Sequence, residues 1–76
     1  MNYGIRTYVT LSQYDSDGKV VRRVAVECFG TEEARKCLDQ CRESVPGARY
    51  VRMNRSLRIA EGVEVLSYDE FVRNML

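Results

Sequence analysis

A chain of 76 residues has material for one hydrophobic core, so residues 1–76 are read as a single domain. With 45% hydrophobic and 30% charged residues it is neither disordered by charge nor apolar enough for a membrane, and no run approaches the ~20 apolar residues of a span. Twelve basic against eleven acidic side chains leave a net charge of +1, which excludes a global field drawing the chain onto nucleic acid or an acidic bilayer.

The opening Met1-Asn2-Tyr3-Gly4-Ile5-Arg6 lacks the basic-then-apolar pattern of a secretory signal, so a first strand and a cytoplasmic location are expected. From Tyr3 to Ser12, Ile5, Val9 and Leu11 alternate with Arg6, Tyr8, Thr10 and Ser12, the period of a half-buried strand, with Thr7 on the buried side. Asp15-Ser16-Asp17-Gly18 is a turn cluster. Lys19 to Phe29 alternates again, Val20, Val24, Val26 and Cys28 opposing Val21, Arg23, Ala25, Glu27 and Phe29, with Arg22 the exception on the inner face. The two runs predict a hairpin.

Gly30-Thr31-Glu32-Glu33 has the form of a helix start, with Thr31 as cap and two carboxylates at the positive end of the helix dipole. Ala34, Cys37, Leu38, Cys41 and Val45 then form one apolar stripe, and Pro46-Gly47 ends the helix. Arg49 to Asn54 reads as a third strand and Asn54-Arg55-Ser56 as a turn. Leu57 to Leu66 carries Leu57, Ile59, Val63 and Val65 in strand fashion, with either a bulge or a second turn at Glu61-Gly62. Ser67-Tyr68-Asp69-Glu70 matches a capping box, so Tyr68 to Met75 is predicted helical, with Phe71, Val72 and Met75 or Leu76 inward.

Strand, hydroxyl cap, acidic first turn and helix thus occur twice. The expected fold is α+β in ββαββα order, a four-stranded, mainly antiparallel sheet with helices on one face and the other face open.

The chain has no histidine, no glycine-rich phosphate loop and no distinct carboxylate pair, so no catalytic residue and no cofactor are assigned, and the protein is read as non-enzymatic. Cys28, Cys37 and Cys41 are an odd number without a fourth ligand, which favours reduced, buried thiols over a zinc site or a disulfide framework. Asp15-Ser16-Asp17-Gly18 has its glycine two positions too early for a calcium loop, and the twelfth position is Val26.

The departure from balanced charge is Ala48 to Ala60, where Arg49, Arg52, Arg55 and Arg58 recur at every third position. On two strands joined by a turn, Arg52 and Arg58 share the outer face while Arg49 and Arg55 fall at the hairpin's ends. Arg6, Tyr8, Arg23, Tyr50, Arg52 and Arg58 are therefore the candidate partner-binding residues. Arginine and tyrosine on one surface suit a protein interface or phosphate contact with base stacking, and Glu27 and Glu64 offer the counter-reading of a solvated, balanced face. Val21, Ala25 and Phe29 on the same face also suit a homodimer contact.

Gly18-Lys19-Val20-Val21-Arg22-Arg23 followed by Phe29-Gly30-Thr31-Glu32-Glu33-Ala34 resembles the strand-to-helix passage of the small arm-binding domains of tyrosine integrases. That resemblance implies DNA reading by a sheet face. In size and layout the chain also resembles small phage-encoded inhibitors of the anti-CRISPR kind, which implies a protein or nucleoprotein partner whose surface it covers.

Overall fold

The computed structural model describes residues 6–55, 58 and 60–76. The expectations placed on Tyr3, Ile5, Ser56, Leu57 and Ile59 lie outside these residues. The element order is β1 (Arg6–Tyr14), β2 (Val20–Phe29), α1 (Gly30–Ser44), β3 (Ala48–Asn54), β4 (Glu64–Ser67) and α2 (Tyr68–Met75), the ββαββα order read from the sequence.

β1 and β2 form the antiparallel hairpin, Arg6 opposite Phe29 and Ser12 opposite Arg23. Its tip is tied by the Asp15 carboxylate, which accepts from the backbone N–H of Asp17 and Lys19 at 2.9 and 3.0 Å. Inner-face residues Val9, Leu11, Val24, Val26 and Cys28 are almost fully buried under the helices. Ala34, Cys37 and Cys41 of α1, Leu66 of β4 and Phe71 of α2 close the core.

The sheet departs from the expected pattern. Its order is β3-β1-β2-β4, and β4 pairs parallel with β2, so the sheet is mixed, not mainly antiparallel. No second hairpin forms between β3 and β4, which occupy opposite edges. Two local features explain this. Gly62, at φ 85°, sits in a turn closed by the Val63 N–H donating to the Ala60 carbonyl at 3.3 Å, so only Glu64–Ser67 remain to form a strand; the choice between bulge and turn resolves as a turn. The parallel alignment also lets both helices leave the same end of the sheet and return over the same face, where the Tyr68 hydroxyl donates to Gln40 Oε1 at 2.7 Å and links α2 to α1.

The two helix starts differ. At α2 the capping box is complete: Ser67 Oγ accepts from the Glu70 N–H, and the Glu70 carboxylate accepts from the Ser67 N–H. At α1 the cap is Phe29 instead of Thr31, and no side chain caps it; the Glu33 carboxylate reaches back to the Phe29 N–H at 2.8 Å. The helix begins two residues earlier than Thr31 would set it, at Gly30, with Glu33 satisfying the Phe29 donor. Val72 is also placed differently, lying exposed while Tyr68 packs against the core in its stead.

Because β3 and β4 both run antiparallel to β1, the chain between them must return along the sheet before β4 begins. That crossing decides what becomes of the outer face.

Candidate functional site

Alternation places Tyr8, Thr10, Ser12, Arg23, Ala25, Glu27 and Arg52 on the face away from the helices, and the register aligns them in rows: Asn54, Tyr8, Glu27 and Ser67 in one, Arg52, Thr10, Ala25 and Val65 in the next. This face, expected from the sequence to be open, is partly covered in the structure. Arg58, Ala60 and Val63 of the crossing line a cleft of about 290 Å³ together with Thr10, Ser12, Arg23, Tyr50 and Arg52. Ala25 is completely buried, so Val21 and Phe29, exposed at opposite ends of β2, are not joined into the continuous apolar patch that the dimer reading needs.

β3 carries an irregularity opposite β1. Thr10 faces Arg52 and Ser12 faces Arg49, so Tyr50 and Val51 together oppose the single residue Leu11. This is a β-bulge, and Tyr50 occupies it with a left-handed φ of 57°. The consequence for the arginine series is direct. Residues three apart on a regular strand point to opposite faces, but the extra residue restores the phase and sets Arg49 and Arg52 opposite two outer-face residues, Ser12 and Thr10. The expectation that Arg49 falls at a hairpin end is corrected accordingly.

Around the bulge the side chains brace each other. The Arg49 guanidinium lies 5.0 Å over the Tyr14 ring, and Tyr14 and Tyr50 meet with ring centroids 6.1 Å apart at 59°. Tyr50 nevertheless stays 68% exposed, and it forms part of the cleft wall. The Tyr14 backbone is itself anchored, donating its N–H to the Gly47 carbonyl at 3.0 Å.

The two acids of the counter-reading are engaged away from the cleft, Glu27 at another part of this face and Glu64 on the inner side. Glu27 Oε2 accepts from Arg6 Nη1 at 3.0 Å and from the Tyr8 hydroxyl at 3.1 Å. Glu64 takes both Arg22 Nε and Nη2, at 2.7 and 3.0 Å. This bidentate pair accounts for Arg22 on the inner face, and it holds the Glu64 carboxyl below its ordinary range. Among the described residues, none of Arg23, Arg49, Arg52 and Arg58 has a carboxylate within ion-pair distance.

Of the six residues singled out from the sequence, the structure therefore brings Arg23, Tyr50, Arg52 and Arg58 together in the cleft. Arg6 and Tyr8 share the face but are committed to Glu27. Sequence reasoning missed Arg49 and Tyr14. Arg49 stood in the every-third series, yet only the bulge shows its side; Tyr14 had no signal beyond its type.

A second depression is lined by Arg6, Glu27, Phe29, Glu33, Tyr68 and Asp69 at the starts of both helices, but Glu27 and Glu33 already have partners there. Cys28, Cys37 and Cys41 are buried and outside any disulfide. Hydrogen bonding with Cys28 and Cys41, reinforced by burial, pushes the Cys37 thiol up, which keeps it protonated. Among the described residues no group of metal-ligating side chains gathers, and no helix is long and apolar enough to cross a membrane. Comparisons with protein-family models, with curated proteins and with solved structures find no match to the chain.

Proposed function

We propose that this chain is a non-enzymatic binding module, of the kind phages and mobile elements use to cover a host surface, and that it docks through its outer cleft on an anionic patch of a protein or nucleoprotein partner. The observation that carries this reading is the convergence of Arg23, Arg52 and Arg58 beside the exposed Tyr50 with, among the described residues, no carboxylate within ion-pair distance of them. A guanidinium left unpaired on a surface keeps its fork of donors free for an incoming anion, and an exposed aromatic beside it supplies contact area at little entropic cost. A merely solvated face would use Glu27 and Glu64 against these arginines, and both acids are bound to others.

The test compares retention of partners from source-cell extract by the wild-type chain and by the double variant Arg52→Ala, Arg58→Ala, both checked for native circular dichroism. The wild type is expected to hold a partner that the variant loses. Equal retention by the two would remove the cleft as the docking site.

A further inference from the structure

Given that docking occurs at the outer cleft, the groups around it select the anion. Every cation there is a guanidinium. The chain's two lysines lie elsewhere, Lys19 at the hairpin tip and Lys36 on α1. A planar fork of donors matches the oxygen pairs of phosphate or carboxylate, and among the described residues these forks have no competing acceptor.

Tyr50 separates the two anions. Its ring sits in a left-handed backbone conformation rare for a residue of its size, braced by Tyr14, and it presents most of its area to solvent at the cleft wall. The side chains of an acidic peptide would satisfy the arginines but bring no flat group to stack on this plate. A nucleotide delivers both parts at once, a phosphate for the guanidiniums and a flat base for the ring. A duplex meets only half of the arrangement, because its bases are stacked inside and out of reach of Tyr50.

We infer that the cleft binds single-stranded nucleic acid, with backbone phosphates at Arg23, Arg52 and Arg58 and one base stacked on Tyr50. This rests on the docking reading above and names its partner chemistry.

The experiment measures fluorescence anisotropy of a labelled single-stranded oligonucleotide of roughly 12 nucleotides, a site size typical of such grooves, with the full chain. Three phosphate contacts predict that Kd weakens about twentyfold between about 50 and 200 mM salt, and Arg52→Ala, Arg58→Ala should reduce this to about threefold while weakening binding throughout. Arg52→Lys, Arg58→Lys keeps the charges and should keep the steep salt dependence. Tyr50→Ala should weaken binding about tenfold with the salt dependence unchanged, and Tyr50→Phe should bind as the wild type does. Duplex of the same sequence and polyglutamate should compete poorly. Equal competition by either, or a Tyr50→Ala variant binding like wild type, would overturn the inference. If the oligonucleotide is not bound while extract partners still depend on Arg52 and Arg58, the inference fails and the docking reading survives. If those partners are indifferent to both arginines, the two fall together.

Discussion

Gly47 and Gly62 both have left-handed backbones, at φ 71° and 85°, yet their surroundings differ. A Cβ on Gly47 would collide with the Tyr14 carbonyl oxygen, whereas none of the described atoms lies within 4 Å of one on Gly62. Gly62→Ala should therefore cost only the conformational penalty, about 1 kcal/mol, and Gly47→Ala about 3 kcal/mol because backbone must also move. Urea denaturation of the two variants separates these outcomes. The carboxylates give a second residue-scale prediction. Arg22 holds Glu64 below its ordinary 4.5, and the Ser67 backbone N–H does the same for Glu70. A depressed acid stabilises the fold above its unfolded-state pKa, and that contribution is lost as pH falls through the native value. Stability should be flat down to about pH 5 and decline below about 4.5. Glu64→Gln should remove about 0.5 kcal/mol at neutral pH and part of the acid decline, a figure kept small because the pair is solvent-screened.

At the scale of elements the helix starts make opposite forecasts. Ser67→Ala breaks a complete capping box and should cost about 1 kcal/mol, while Thr31→Ala, whose side chain caps nothing, should leave the melting temperature nearly unchanged. Both were read from sequence as hydroxyl caps, and only the local pattern at Ser67 to Glu70 was sufficient. The same contrast runs through the fold. The hairpin, both helices and the existence of β3 were legible because period and turn chemistry are local to Arg6–Phe29, Gly30–Ser44 and Tyr68–Met75. The partner of β4 was not, because Val63, Val65 and Leu66 suit an antiparallel or a parallel neighbour equally; what decides is where α2 must lie to bury Phe71 beside α1. Tyr8, Arg23, Tyr50 and Arg52 could be placed on the outer face by alternation alone. The bulge that gathers Arg49 with Arg52 left no mark in the sequence, since nothing in Tyr50-Val51 signals a positive φ.

For the molecule as a whole, Phe71 is the largest fully buried side chain among the described residues of this 76-residue chain. Phe71→Ala should cost about 3–5 kcal/mol, comparable to what a single core of this size supplies, and leave the chain largely unfolded by circular dichroism at 25 °C. The charge layout is also a whole-molecule property. A net charge of +1 conceals arginines on one face that, among the described residues, have no ion-pair partner, and a global count cannot report such an arrangement.

The parallel β2–β4 pairing reaches further, into the order of events during folding. Val24 meets Glu64 only by enclosing α1, β3 and the crossing in a single long loop, as β1 must also do to reach β3, whereas the β1–β2 hairpin closes across a short turn. Variants in the hairpin core such as Leu11→Ala should slow refolding, and Leu66→Ala or Phe71→Leu should instead accelerate unfolding, a division that stopped-flow kinetics can measure. The crossing that walls the arginine cleft lies inside this late-closing loop. The cleft therefore exists only once that loop has closed, and any ligand it holds should lengthen the lifetime of the native state.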